Sequence, residues 1–526
     1  MRFHKRIDPP IERGFPSIGE CPPGLDIRGT LLARGALFNL FGQGIPLIIG
    51  LASIPFVIKS LGTDRFGILS LVWVAFGYFG IFDFGLGPAT TKFVAQMMGS
   101  GERHRIPHFL WTTVLFQLIL GLAGGLLFFL STPLLLKHVL NIPPEFLREA
   151  NMSFVLMAFS LPLAFVSSSF RGSLEAAQRF DLVNFIKVIT SAASYLLPVF
   201  GALIGFKLPG IICLLIGSRI LTFIAWVTLN FRVFPELRCR PSIHKDSVVP
   251  LLKFGGWVTV SNTINPLLIY VDRFLIGSLI TVSAVSYYTA PYEALSRIGF
   301  IPGSLITTLF PAFSALRGGA NDQKMKVLFA RSVKYVMLAM GPLTVGLVLF
   351  AKDILAIWLG MNFASKSTLV FQILAFGFFL NSLANIPMGF LLGSGRSDIP
   401  AKFHLFEVML YVPLCWALIK ALGIRGAAIA WAIRVTLDMA LLFVGAGRIG
   451  ILKMSEWIRE GMAQATFAIL ALAAAGAIVG GFSWRVFGFI VIMSGFLPVV
   501  WFYALTQVER DWILKLRTFI PSGKVL

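Results

Sequence analysis

Four arginines and five acids fall inside the long apolar runs of this chain, and these are the side chains that could do chemistry. Arg219, Arg273, Arg297 and Arg434, with Asp83, Asp272, Glu293, Glu407 and Asp438, sit among Leu, Ile, Val, Phe and Ala. A charge at hydrocarbon depth costs roughly 3 kcal/mol on insertion scales, so it persists where it faces protein or a wet cavity. A guanidinium stays charged and offers a planar fork to phosphate or carboxylate, so arginines around a cavity would hold an anion. The competing reading is local neutralisation. Glu293 and Arg297 are spaced i,i+4, as are Arg434 and Asp438, and one helical turn brings such pairs together without a ligand. Asp272 and Arg273 are adjacent, point about 100° apart on a helix, and do not pair with each other.

Arg219 and Arg434 occupy matching places in GSRILTF and AIRVTLD, so a duplicated arginine facing a central cavity is one expectation. Asp83, in GIFDFGLGP, either caps a helix break or serves as a coupling-ion carboxylate. Asp272 and Glu293 are the other candidates for coupling or gating. Asn39, Gln43, Asn262 and Asn265 place amides beside Pro46, Pro55 and Pro266. Such amides either join helices or meet sugar hydroxyls. No catalytic constellation emerges: the six histidines lie in loops or at span edges, with no Ser or Cys nucleophile nearby. The four cysteines show neither paired nor metal-ligand spacing, so no metal or cofactor is expected.

The elements that must position these residues are membrane helices. Of 526 residues, 57% are hydrophobic and 13% charged, against about 25% charged in a soluble domain. The fold class is therefore all-α, a polytopic membrane protein. Taking about 20 apolar residues per crossing, spans fall at 36–60, 66–98, 109–131, 151–174, 182–205, 208–230, 250–279, 282–315, 328–351, 367–393, 400–421, 425–447, 463–483 and 486–506. The second and eighth are longer than a crossing needs and carry internal Gly and Pro, so they kink or extend past the bilayer. The net charge of +21 resides in loops, which points to topology and anionic lipid headgroups and away from nucleic acid. With both termini cytoplasmic, the cytoplasmic loops hold roughly three times the Lys and Arg of the outer ones. Residues 1–35 lack the apolar core of a cleavable signal and read as a cytoplasmic tail.

The chain also repeats itself. Phe41-Gly42 matches Phe254-Gly255, Ser60-Leu61 matches Ser278-Leu279, and Gly172, Leu174, Arg179 and Asp181 match Gly389, Leu391, Arg396 and Asp398. An offset held near 217 residues through loops and helices alike indicates duplication. The expected organisation is an N-lobe at 36–230, a linker at 231–249, a C-lobe at 250–447, two further helices at 448–506 and a cytoplasmic tail at 507–526. Six crossings per half make the repeats parallel, the arrangement of alternating-access transporters. No outer loop is long enough for a soluble domain, and no phosphate-binding glycine loop is present.

Several segments together resemble the polysaccharide-transport branch of the multidrug/oligosaccharidyl-lipid/polysaccharide exporter superfamily, which includes O-antigen and repeat-unit flippases. They are SLGTDRFGILSL (60–71), FDFGLGPATTKFVAQ (82–96) with Glu102 after it, YVDRFLIGSL (270–279), VSYYTAPYEALSRI (285–298) and IPGSLITTLFPAFSAL (301–316). The resemblance covers roughly residues 36–447. It implies two six-helix lobes in the inner (cytoplasmic) membrane that turn over a lipid-linked oligosaccharide, its polyprenyl-pyrophosphate head in a cationic cavity and its tail in lipid. It also implies membrane lipids as partners and leaves glycan polymerase and assembly proteins open. The last two helices resemble those forming a tail groove in peptidoglycan-precursor flippases. The first span has no acid, unlike the ion-coupled drug exporters of the superfamily, so the coupling ion is left open. The rival readings are an ion-coupled multidrug exporter, which needs an acidic cavity, and a membrane glycan polymerase or ligase, which usually carries a sizeable outer loop.

Overall fold

A computed structural model describes residues 29–81, 85–177, 179–238, 268–299, 301–303, 322–394, 396, 398–449, 482–507 and 510. Its regular structure is helical throughout these residues. Nine of the described helices are long and apolar enough to cross a membrane. Their outer faces explain why lipid must be the solvent: Leu127, Phe159, Leu221 and Met409 are 70%, 73%, 69% and 68% exposed. Helices satisfy every internal backbone group in such a medium, which leaves the side chains free to be greasy on all sides.

Helix α1 runs Gly29–Ile81, with a break at Gly62, whose φ of 81° only glycine adopts readily. The first two expected crossings meet at that break. A second glycine, Gly85 at φ 68°, precedes α2 (Leu86–Gly99), so the long second span is interrupted where its glycines cluster. Then follow α3 (Ile106–Leu134), α4 (Leu147–Ala176), α5 (Phe180–Leu203) and α6 (Leu208–Val233). The second half contributes α7 (268–279), α8 (Val282–Ser296), α9 (Asp322–Leu349), α10 (Ala351–Leu359), α11 (Met361–Gly393), α12 (Asp398–Leu422), α13 (Ile424–Arg448) and α14 (Phe482–Val499). The short α10 occupies a stretch expected to be loop, because Gly360 at φ 90° ends it and lets α11 start earlier than the apolar run suggests. Residues 463–481 of the expected crossing at 463–483, the first part of 250–279 and the later part of 282–315 lie outside the described residues.

Small residues set how closely the helices approach. A Cβ on Gly121 would lie 2.5 Å from Pro162 Cα, and one on Gly125 would lie 2.7 Å from the Ala158 carbonyl oxygen, so α3 and α4 touch backbone to backbone. In the second half, Gly377 of α11 takes the Trp431 ring of α13 in the same manner. The two halves join at one end. Ser283 Oγ donates to Thr63 Oγ1 at 2.8 Å, Asn141 Nδ2 to the Ser278 carbonyl at 2.7 Å and Trp358 Nε1 to the Leu51 carbonyl at 2.7 Å. A single apolar core continues through this junction, from Val57, Phe66 and Leu69 to Ile276, Val282, Tyr288 and Phe371. Helix α14 leans on α9 through Phe489 against Gly346, and is tied at its start by Arg485 to Asp353 at 3.0 Å. Beyond its other end, Lys334 Nζ of α9 reaches the Ala504 carbonyl at 3.1 Å.

Candidate functional site

Beneath the junction the halves part around a cavity of about 260 Å³. The N-terminal half lines it with Ser70 and Trp73 from α1, Ser191, Ser194 and Tyr195 from α5, and Arg219 from α6. Facing them are Tyr270 from α7, Thr289 and Glu293 from α8, and Arg297 just after it. Two of the four intramembrane arginines, Arg219 and Arg297, thus reach one hollow from opposite halves. Arg297 is about one-third exposed and pairs with Glu293 at 3.2 Å, the i,i+4 contact the spacing predicts. It also donates to the Tyr195 hydroxyl across the gap, and its guanidinium sits 5.2 Å from the centre of that ring.

The other two arginines lie behind the cavity. Arg273 is 1% exposed, 3.5 Å from Glu293 Oε1, and stacked 4.3 Å from the Tyr292 ring centre. Its sequence neighbour Asp272 turns away, as expected, and accepts from the Tyr288 hydroxyl at 2.5 Å. Glu293 is therefore shared between a buried and a cavity-facing guanidinium. Arg434 corrects an expectation. Its partner is Glu407 of α12 at 3.4 Å, not Asp438 one turn along its own helix. An arginine preceding the acid is the weaker order for a helical pair, and the close packing of α12 on α13 supplies a better carboxylate. Asp438 instead faces His404, Nε2 to Oδ1, at 3.6 Å. Counted from the helix starts Leu208 and Ile424, Arg434 falls at the place of Ser218, one residue before that of Arg219, and the two arginines stand in different surroundings.

A second cavity of about 320 Å³ shares Ser191, Ser194 and Arg219 with the first and continues toward Arg171 and Lys187. Both of these basic residues lie near Glu175, at 3.7 Å and 3.3 Å. Neither is among the site residues expected from sequence, because both fall in 171–187, whose basic residues count with the cytoplasmic loops. A signal was present nonetheless: Lys187, Thr190, Ser191 and Ser194 repeat at helical spacing, forming a polar stripe down an otherwise apolar α5. Asp83, Asn262 and Asn265 lie outside the described residues. Asn39 and Gln43 lie in the part of α1 for which the backbone alone is described.

The sequence model of the polysaccharide biosynthesis protein family matches residues 32–317, more than half of the chain. The chain belongs to that family. The match takes in α1 to α8 and every residue lining the cavity between the halves. Among relatives, a Shigella flexneri protein named for O-antigen transport is 28% identical over 414 residues, 78% of this chain and 96% of that protein. The lipopolysaccharide biosynthesis protein WzxC of Escherichia coli K12 is 24% identical over 417 residues, 78% of this chain and 77% of WzxC. Two solved structures share the fold. The lipid II flippase MurJ, in an inward closed conformation, aligns with a TM-score of 0.70 at 14% identity, over 92% of this chain and all of MurJ. An inward-facing multidrug resistance transporter of the MATE family aligns with 0.67 at 15% identity, over 77% of this chain and 94% of that one. The family is thus shown by sequence, and the solved structures show the same fold.

Proposed function

We infer that this multi-pass membrane protein carries a lipid-linked oligosaccharide from the cytoplasmic to the outer leaflet by alternating access. The observation that carries the reading is the hollow between the halves, where Arg219 and Arg297 face each other among hydroxyls and aromatic rings. With Glu293 the only carboxylate among the described residues lining it, these side chains give the hollow a net positive charge, suited to a pyrophosphate. Ser70, Ser191, Ser194 and Thr289 offer hydroxyls to sugar, and Trp73, Tyr195 and Tyr270 offer flat faces. Arg273 supports this surface from behind by fixing Glu293. The family and the relatives named for O-antigen transport and lipopolysaccharide biosynthesis support the substrate class. The two halves act as the rocking lobes, the chain resides in the inner membrane with both termini cytoplasmic, and the seal around Thr63 and Ser283 is on the outer side. Arg171 and Lys187 then mark the cytoplasmic approach to the cavity, where a charged headgroup would first be met.

The test is reconstitution in liposomes with a fluorescent polyprenyl-pyrophosphate sugar, scoring leaflet exchange for wild type, Arg219→Ala and Arg297→Ala. The expected result is exchange by the wild type and at least a tenfold loss in both variants, about 1.4 kcal/mol or more of lost binding each. Equal exchange by all three removes the site assignment. Selective movement of organic cations by the wild type favours the drug-exporter reading instead.

A further inference from the structure

One buried cluster takes no part in the cavity. His404 and Glu407 on α12 and Asp438 on α13 place a ligating atom each within 4.8 Å of one another. Glu407 is fully buried and Asp438 is 7% exposed. Glu407 Oε1 and Asp438 Oδ1 are buried and accept no hydrogen bond. The groups facing them from the packed helices are few. Arg434 of α13 bonds Glu407 Oε2 at 3.4 Å, and Tyr411 of α12 lies under the Arg434 guanidinium at 5.7 Å. Of the next carboxylates, Asp272 is held by the Tyr288 hydroxyl at 2.5 Å and Glu293 is shared by Arg273 and Arg297. Among the described residues this leaves two carboxylates against one guanidinium, a single uncompensated negative charge in a low-dielectric interior.

The duplicated half shows what these positions need for packing alone. Counted from the clamp acids Asp181 and Asp398, Glu407 corresponds to Thr190, and counted from the helix starts Leu208 and Ile424, Asp438 corresponds to Thr222, a register that sets Arg434 against Ser218 and not Arg219. Those two hydroxyls bond each other at 3.0 Å across α5 and α6. A neutral pair therefore suffices to fill this helix crossing, and the acid pair answers some other demand. We propose that Glu407 and Asp438 form a proton-binding site that shares one proton between the two carboxylates. Two carboxylates this close do not both remain ionised beside one arginine, and a single shared proton neutralises the cluster. A divalent ion would overshoot by one charge and be repelled by Arg434. His404, whose side chain is 22% exposed and 3.6 Å from Asp438 Oδ1, is the side from which the proton arrives. The assignment is independent of what the cavity carries.

Infrared difference spectroscopy on the full chain in lipid nanodiscs, stepped from about pH 8 to about pH 5, reads the carboxylic-acid C=O band. The wild type should show a band that Glu407→Gln and Asp438→Asn each abolish completely, because either change leaves one carboxylate against one guanidinium in the cluster. Glu407→Thr and Asp438→Thr, which borrow the residue the other half uses, should do the same and stand in if the amide variants fail to fold. A band that survives all four substitutions overturns the proposal. So does loss of only half the band in each variant, which would mean two independent carboxyls. Removal of the wild-type band by sodium or calcium at fixed pH would make the occupant a metal ion and equally overturn it.

Discussion

At the scale of single residues, the intramembrane arginines divide by what surrounds them. Arg273 is sealed in, its charge met by Glu293 and the faces of Tyr292 and Tyr270. Removing one partner of a buried pair costs about 3–5 kcal/mol because the other charge is stranded. Arg273→Ala should therefore lower the unfolding temperature of the purified protein sharply, and a thermal melt would show it. Arg297, with 31% of its side chain exposed, should behave differently. Arg297→Ala is expected to change stability by no more than about 1 kcal/mol, while leaflet exchange in liposomes falls at least tenfold. The pairing of Glu293 with Arg297 was legible from a four-residue spacing. That of Arg434 with Glu407 was not, because the two are 27 residues apart on different helices.

At the scale of helices, close approach rests on glycines whose role depends on what faces them. Gly121 and Gly125 bring α3 against Pro162 and Ala158 of α4. Gly121→Val should force the pair apart at about 1–3 kcal/mol, whereas Gly124→Val, which points into open space, should leave a thermal melt unchanged. The two halves also carry a matched clamp at the starts of α5 and α12. Arg179 bonds Asp181 through Nε at 3.0 Å and Nη2 at 2.9 Å, and Arg396 bonds Asp398 in the same two-pronged way. The repeat in sequence is here a repeat in geometry. Between those clamps and the helix centres the halves diverge, Thr190 and Thr222 in one and Glu407 and Asp438 in the other.

At the scale of the molecule, the junction around Thr63, Gly67, Val282 and Ser283 decides which side of the cavity is closed. A Cβ on Gly67 would come within 1.8 Å of the Val282 carbonyl oxygen, in backbone that cannot step aside without parting α1 from α8. Gly67→Leu should therefore disfavour this closed arrangement and raise the population open at that end. Spin labels at Ser60 and Thr281, both exposed, would report a longer separation in the variant than in the wild type. An unchanged distance distribution would show that the seal is made elsewhere.

The sequence by itself determined the solvent and the class. A chain 57% hydrophobic in long runs has to satisfy its backbone inside helices, and an offset kept through loops and spans alike reported the duplication. Its internal glycines also pointed to a kink in the span 66–98, and the structure sets the positive-φ residue there at Gly85. The tertiary structure alone decided which charges meet. Apolar helices with no polar face can pack in many rotations, and the rotation they adopt puts Arg219 and Arg297 into one cavity while turning Arg273 and Arg434 to carboxylates behind it.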